Sequence, residues 1–136
     1  MEAEAIEGKK MTILAVEDEQ SLLQVITVKL ERKGFHVLGA RSIEQAENYL
    51  DDKDFQIDGV WLDHYLLGQE TGLHLVAKMK EENSPMKHVP IFIVSNTASQ
   101  DNVKSYVALG VSKYFTKIDT HLDGIVDELY SLLKET

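Results

Sequence analysis

The chain contains the stretch Val60-Trp61-Leu62-Asp63-His64-Tyr65, in which an apolar run of strand-forming residues ends abruptly in a carboxylate. A strand that is apolar on both faces is typical of a parallel sheet covered by helices. In open α/β sheets, ligands bind outside the carboxyl ends of the strands, which is where Asp63 would lie. Asp63 is therefore a candidate site residue if other suitable side chains reach the same edge.

Composition restricts the classes of protein that fit. The chain has 136 residues, enough for one domain with a hydrophobic core. It has no cysteine, which excludes disulfides and thiolate metal sites and favours a cytoplasmic protein. No apolar run approaches the roughly 20 residues of a membrane span. The net charge of -9 argues against direct binding to nucleic acid. We expect one globular domain with no membrane or nucleic-acid partner of its own.

Apolar runs and helical periodicity alternate along the chain. Residues 1–9 lack an apolar pattern, and we expect a flexible tail or added residues there, followed by one domain over residues 10–136. Strands are predicted at residues 11–16, 35–39, 59–62, 91–94 and 114–116, each followed by a helical pattern. Gly34 and Gly110 suit helix ends, and Ser42 with Gln45 suits a helix start. The alternation predicts a flavodoxin-like, doubly wound (βα)5 α/β fold with a parallel sheet in the order 2-1-3-4-5.

That strand order gathers acids at one edge. Glu17 and Asp18 follow the first strand, and Asp63 follows the neighbouring third strand. Two like charges about 4 Å apart repel by roughly 4 kcal/mol at an effective dielectric constant of about 20, so the site must hold a proton or bind a cation. All-oxygen ligands favour Mg²⁺ or Mn²⁺. A single acid here more often serves solubility, but three at two adjacent strand ends favour a metal site.

The fourth and fifth strands end in complementary groups. Ser95 offers a hydroxyl donor and Lys117 a mobile cation. Taken alone, Ser95 is more often a turn residue, and Lys117 is more often a solvated surface charge. Together with the acids they provide the nucleophile, metal ligands, hydroxyl and cation that phosphoryl transfer requires. The chemistry would be in-line attack of Asp63 on a phosphoryl group, which gives an aspartyl phosphate.

Four segments carry a resemblance to a known family. They are ILAVEDE (13–19), VWLDHYL (60–66), PIFIVSN (90–96) and ALGVSKYFTK (108–117). In order and spacing the chain resembles the receiver domain of two-component response regulators from Lys10 onward. The resemblance implies that Asp63 is the phosphoacceptor. It further implies metal ligation by Glu17, Asp18, Asp63 and the carbonyl of Tyr65, contacts of Ser95 and Lys117 with the phosphoryl group, and a switch formed by Ser95 and Tyr114.

Several positions depart from the usual pattern of such domains. Ile118 replaces the proline that commonly follows the lysine, so a trans peptide bond is expected before it. Leu67 replaces another common proline, and Asn96 replaces a small residue, which predicts a narrower pocket. Tyr65 and Thr97 occupy the positions that flank the path of the hydrolytic water. We predict that Tyr65 slows loss of the phosphoryl group, and Tyr65→Asn should release phosphate faster.

Other aromatic and histidine residues favour packing. His64 neighbours Asp63, but adjacent strand residues point to opposite faces, so we expect it to pack beneath a helix or reach solvent rather than act as a base. Trp61 and Tyr49 are expected in the core or against helices. Tyr106 either packs or joins the partner surface that contains Tyr114, and packing is the simpler alternative.

The function predicted from these residues is that of a phosphoaccepting receiver. It would take a phosphoryl group from a phosphohistidine on a histidine kinase or phosphotransfer protein, signal to a downstream protein, and catalyse only its own modification, so it is not an enzyme in the usual sense. Dimerisation through the switching surface is common in the family, and a homodimer stays open. A degenerate receiver that binds partners without phosphorylation is the alternative. A haloacid-dehalogenase-like phosphatase fits less well, because it needs an aspartate at position 65. The chain ends after the fifth helix, so we expect a single-domain regulator or a receiver taken from a longer protein.

Overall fold

A computed structural model describes residues 10–64, 72–96, 100–117 and 120–134. Five strands alternate with five helices along these residues. They are β1 (Thr12–Val16), α1 (Gln20–Arg32), β2 (His36–Ala40), α2 (Ile43–Asp51), β3 (Gly59–Leu62), α3 (Gly72–Met79), β4 (Ile91–Ser95), α4 (Gln100–Leu109), β5 (Lys113–Thr116) and α5 (Leu122–Lys134). The strands form one parallel sheet in the order β2-β1-β3-β4-β5. The predicted flavodoxin-like fold is confirmed.

The sheet separates two apolar clusters because its central strands are buried on both faces. Leu14 of β1 packs in the cluster that also holds residues of α2, α3 and α4, whereas Ile13 packs in the cluster with α1 and α5. β3 alternates in the same way, with Leu62 on the first side and Trp61 on the second. Full burial of such a side chain contributes about 1.5–3 kcal/mol, so both helical layers hold the sheet in place.

The second strand begins one residue later than its apolar pattern predicts. Phe35 is buried, but its N–H donates to the carbonyl of Leu30 at 3.1 Å and so closes helix α1. Gly34, with φ of +107°, donates to the carbonyl of Glu31 at 3.0 Å, which completes a Schellman-type helix end. Phe35 therefore belongs to the helix end, and β2 starts at His36.

The start of α2 uses the two residues that the sequence singles out. The Ser42 hydroxyl accepts from the N–H of Gln45 at 3.1 Å. The Gln45 side chain reaches back and accepts from the N–H of Arg41 at 2.7 Å, one residue before the position that a capping box normally uses. These two bonds fix the turn at the carboxyl end of β2.

Helices in the described part of the chain are too short or too polar to cross a membrane. The expected tail at residues 1–9 lies outside the described residues.

Candidate functional site

Three carboxylates converge where the two central strands end. Glu17 and Asp18 follow β1, and Asp63 follows β3. The parallel ladder holds both segments beyond the strands: the N–H of Asp63 donates to the carbonyl of Val16 at 3.0 Å, and the N–H of Glu17 donates to the carbonyl of Ala40 at 2.9 Å. The backbone is thus fixed on both sides of the acids, as the strand order predicts.

The acids are close together and largely removed from water. One oxygen from each of Glu17, Asp18 and Asp63 lies within 4.8 Å of the other two. Glu17 is 2% exposed and Asp63 7% exposed, while Asp18 is half-buried. Two full charges at that separation repel by about 3.5 kcal/mol at an effective dielectric constant of about 20. The arrangement therefore favours uptake of positive charge.

The pKa of Glu17 reflects this crowding. Burial is the main cause and the charge of Asp63 the second, and together they raise the pKa of Glu17 to about 7. The N–H of Glu19, which donates to Glu17 Oε2 at 3.2 Å, and the charge of Lys117 act in the opposite direction. At neutral pH a proton therefore occupies this carboxyl in part of the molecules, and a bound cation would displace it.

Lys117 and Ser95 reach the same edge from β5 and β4. The Nζ of Lys117 lies 3.4 Å from Glu17 Oε1, and both side chains are mostly buried. Ser95, the last residue of β4, is fully buried, and its carbonyl accepts the N–H of Lys117 at 2.8 Å. Leu62 pairs with Ile93 across β3 and β4, so Ser95 lies one residue beyond the level of Asp63 on the neighbouring strand. The structure thus brings the acids, the hydroxyl and the cation to one edge.

Arg41 joins this edge although the sequence analysis passed over it. Its Nε donates to the backbone carbonyl of Asp18 at 3.0 Å. Arg41 directly follows β2, which neighbours β1 in the sheet. The edge rule that identified the acids, applied to β2 as well, would have found it.

His64 turns away from the acids and packs under a helix, as one of the two alternatives predicts. Its Nδ1 lies 2.6 Å from the hydroxyl of Tyr106 in α4, and burial lowers the pKa of His64. Tyr106 is fully buried and its ring also contacts that of Tyr114 in β5, with centroids 5.8 Å apart. The packing prediction for Tyr106 is confirmed, and Tyr114 is half-buried beside it.

Trp61 lies in the core, and Tyr49 is half-buried against Phe55.

Some predicted positions lie outside the described residues. These are Tyr65, Leu67, Thr97 and Ile118, together with the peptide bond that precedes Ile118. Asn96, the residue after β4, is described and exposed. The exposure of Asn96 does not test whether this residue narrows the phosphate pocket, so that narrowing stays a prediction.

The donor set fits a hard divalent cation. Glu17, Asp18 and Asp63 supply only carboxylate oxygens, the ligands that Mg²⁺ and Mn²⁺ prefer. Burial and, second, the charge of Asp63 raise the pKa of Glu17, and a bound cation would favour the charged form of this carboxyl. Lys117 brings a positive charge to this cluster through its contact with Glu17.

Comparison with known families places this edge in context. Residues 13–127 match the response regulator receiver domain. The chain belongs to that family. As a receiver domain it is a signalling domain of two-component systems rather than an enzyme that turns over an external substrate, and domains of this family interact with histidine kinases and downstream effectors.

Curated relatives are longer than this receiver domain. It is 30% identical over 106 residues to the phosphate regulon transcriptional regulatory protein PhoB of Pseudomonas aeruginosa, which covers 78% of the chain and 44% of PhoB. It is 29% identical over 114 residues to the alginate biosynthesis transcriptional regulatory protein AlgB of Pseudomonas putida, covering 84% of the chain and 24% of AlgB. The chain thus spans less than half the length of these relatives.

Solved structures share the fold. The non-phosphorylated HemR receiver domain of Leptospira biflexa is 25% identical, with a TM-score of 0.78 over 91% of this chain and 94% of HemR. A CheY-like receiver domain protein of Methanospirillum hungatei is 19% identical, with a TM-score of 0.82 over 93% of this chain and 96% of that one. The second likeness shows the fold alone.

Proposed function

We propose that this receiver domain, spanning residues 10–136, accepts a phosphoryl group on Asp63 from a phosphohistidine of a histidine kinase or phosphotransfer protein. The observation that supports this most is the placement of Asp63 at the end of central strand β3, within 4.8 Å of the Glu17 and Asp18 oxygens. Lys117 approaches the same cluster through Glu17. A nucleophile, acidic ligands and a cation at one edge are the parts that phosphoryl transfer needs.

In the proposed reaction, an Asp63 carboxylate oxygen attacks the phosphorus atom in line with the bond to the donor. The new O–P bond forms as the N–P bond breaks, and its electron pair leaves on the imidazole nitrogen, which is protonated from solvent. Lys117 Nζ and the Ser95 hydroxyl donate hydrogen bonds to the phosphoryl oxygens. These hydrogen bonds strengthen as negative charge accumulates on the phosphoryl oxygens, and they therefore lower the activation free energy of the transfer.

We infer that Glu17, Asp18 and Asp63 hold Mg²⁺ or Mn²⁺. Of the two acids that follow β1, Asp18 is the direct ligand in this proposal. When bound, the ion supplies positive charge beside the carboxylates and the phosphoryl oxygens. Lys117 carries one positive charge against three carboxylates, so a divalent ion would reduce the negative charge that remains. The carbonyl of Tyr65 belongs to this proposal through the family resemblance.

The proposed signal passes to a downstream protein after Asp63 is modified. Ser95 and Tyr114 form the proposed switch, since Ser95 ends β4 and Tyr114 lies on adjacent β5. Phosphorylation would shift the population between two arrangements of this surface. The site would operate in the cytoplasm, where kinases of this kind expose their phosphohistidine. Thr97 and Tyr65 set the rate at which water removes the phosphoryl group.

Small phosphodonors test the proposal. Purified protein is incubated with Mg²⁺ and acetyl phosphate or phosphoramidate, and the adduct is followed by intact-mass spectrometry. We expect an acid-stable, base-labile adduct in the wild type that is absent in Asp63→Asn. Asp101→Asn, which changes an exposed acid in α4, is the matched control and should retain the adduct. Omission of the metal ion should slow the reaction strongly.

Beryllofluoride provides an independent measurement. Trp61, the one tryptophan of the chain, lies two residues before Asp63, so its fluorescence reports changes near the site. Absence of both the adduct and the beryllofluoride response would refute the phosphoacceptor proposal. Partner binding without an adduct would then support the degenerate receiver, and turnover of a phosphate ester would support the phosphatase.

A further inference from the structure

Tyr106 carries a polar group at a fully buried position of α4. A hydroxyl buried without a hydrogen bond costs free energy, so such a tyrosine needs a partner. The partner is His64, whose Nδ1 lies 2.6 Å from the Tyr106 hydroxyl, and the two rings meet edge to face with centroids 5.5 Å apart. The bond connects a helix on one face of the sheet to the residue that directly follows Asp63.

The backbone of His64 is held as well. Its carbonyl accepts the N–H of Gly72, the first residue of α3, at 3.2 Å. His64 is only 5% exposed. The residue next to Asp63 is thus held through its side chain by α4 and through its carbonyl by α3, so the direction in which the chain leaves β3 depends on both contacts.

Gly72 shows how closely the Tyr106 hydroxyl approaches this segment. A Cβ atom at position 72 would lie 2.6 Å from the Tyr106 hydroxyl and 3.2 Å from the carbonyl oxygen of Asp63. Atoms at 2.6 Å overlap, so only glycine leaves room for the tyrosine here. This packing is a second observation, independent of the His64 bond, that ties Tyr106 to the backbone at Asp63.

The Tyr106 ring also contacts Tyr114, with centroids 5.8 Å apart and ring planes inclined by 52°. Tyr114 lies on β5 and is half-buried. Tyr106 is therefore in contact both with the segment that follows the proposed phosphoacceptor and with the proposed switch residue. A change at either end alters the packing of the same ring.

We propose that Tyr106 is a positioning residue, which fixes His64 through its hydroxyl, thereby orients Asp63 for attack, and couples that segment to Tyr114 through its ring. The inference rests on the proposed function, because it gives Asp63 the role of phosphoacceptor. Tyr106 itself does not touch the reacting atoms. Its contribution is the orientation of the carboxylate, and misorientation of a nucleophile slows attack without abolishing it.

Tyr106→Phe is the first test, because it deletes the hydroxyl and keeps the ring beside Tyr114. Tyr130→Phe, a partly buried tyrosine of α5 that packs against Phe35, is the matched control. With Mg²⁺ and phosphoramidate, we expect Tyr106→Phe to form the Asp63 adduct about fivefold more slowly per folded molecule, which corresponds to an increase of about 1 kcal/mol in the activation free energy. The control should react at the wild-type rate.

Variants of His64 test the same bond from its other end, and they also serve if Tyr106→Phe does not fold. We expect His64→Leu to slow the reaction to the same extent. His64→Gln, which keeps a donor and an acceptor, should retain most of the rate. In the His64→Leu background, Tyr106→Phe should cause no further loss, because both changes remove one interaction. A double variant whose loss of rate equals the product of the two single losses would overturn the inference.

Amide NMR spectra measure the coupling to Tyr114. On addition of beryllofluoride with Mg²⁺, we expect wild-type signals to shift both near Asp63 and at Tyr114. In Tyr106→Leu, which removes the ring, the shifts near Asp63 should remain, and the shift at Tyr114 should fall to less than half. An unchanged shift at Tyr114 together with an unchanged rate in Tyr106→Phe would overturn the inference and leave the phosphoacceptor proposal intact. A wild-type protein without adduct or response would overturn both.

Discussion

Replacement of Glu17 by glutamine should change how the stability of the metal-free protein depends on pH. Burial and the charge of Asp63 raise the pKa of Glu17 from its ordinary value of 4.5 to about 7 in the folded protein. The folded protein therefore retains a proton that the unfolded chain releases between these values. The stability that this proton contributes is fully present below pH 4.5 and is lost as the pH rises through about 7.

The expected magnitude follows from the same pKa values. Between about pH 5 and pH 8, the wild type should lose about 2.5 kcal/mol of unfolding free energy through Glu17 alone. Glu17→Gln is neutral throughout this range and should escape that loss. The stability of the variant relative to the wild type should therefore increase by about 2.5 kcal/mol between about pH 5 and about pH 8.

Urea unfolding in the presence of a metal chelator measures the difference. Trp61 is fully buried, so its fluorescence reports unfolding directly. Glu19→Gln is the matched control, because Glu19 is an exposed carboxylate two residues away that makes no side-chain cap bond to α1. The comparison of variant with wild type at each pH cancels the titration of groups that do not interact with Glu17.

Parallel stability curves for the wild type and Glu17→Gln across this pH range would refute the reasoning. Such a result would mean that Glu17 titrates alike in the folded and unfolded chain, and that the acids are not crowded in the metal-free protein. A difference of the same size in Glu19→Gln would also refute it, since the effect would then come from net charge rather than from the buried site.

Three further measurements follow from the structure. Mg²⁺ at a hundredfold excess over its dissociation constant should raise the unfolding free energy by about 2.7 kcal/mol, and Asp18→Asn should remove most of this gain; equal gains in both proteins would exclude Asp18 as a ligand. Gly72→Ala should lower stability by about 1–3 kcal/mol in thermal denaturation, because its Cβ meets the Tyr106 hydroxyl, and adding Tyr106→Phe should restore part of it. Gly124→Ala in α5, where the nearest atom is a methyl carbon at 3.3 Å, is the control and should change stability by less than about 1 kcal/mol. Ser42→Ala should cost about 1 kcal/mol in urea unfolding by removing the cap of α2, and a loss of only a few tenths would show that water replaces the cap.

The fold was predictable from sequence because the central strands are apolar on both faces. Leu14 and Ile13 pack on opposite sides of the sheet, and a chain segment with that property needs helices above and below it. The alternation of strands and helices then left few arrangements. The first and last residues of the elements were harder to predict from sequence, as Phe35 shows. Its apolar side chain suits a strand, but its N–H closes the preceding helix.

The acidic edge was predictable once the strand order was assumed. Glu17 and Asp63 are 46 positions apart in the sequence, and only the pairing of β1 with β3 brings them together. Periodicity carries no information on strand order, so the site depended on the known preference of five-stranded doubly wound domains. Arg41 was missed because the edge rule was not extended to β2.

The bond between His64 and Tyr106 was not predictable from local pattern. Alternation along a strand shows that His64 faces away from the acids, but not which helix covers it. The apolar residues of α4 are sparse, so its buried face follows from packing against α3 and β5 rather than from its own sequence. Such a contact between distant elements becomes visible only in three dimensions.

The contact between Lys117 and Glu17 joins residues 100 positions apart in the chain. A partly folded molecule in which β1 and β3 have paired but β5 has not docked would hold Glu17, Asp18 and Asp63 together without the charge of Lys117. Repulsion among the carboxylates raises the free energy of such an intermediate more than it raises that of the complete sheet. The acids therefore discourage stable half-folded forms, and docking of the last strand relieves the repulsion that the first strands create. The acidic cluster thus sharpens the cooperativity of folding.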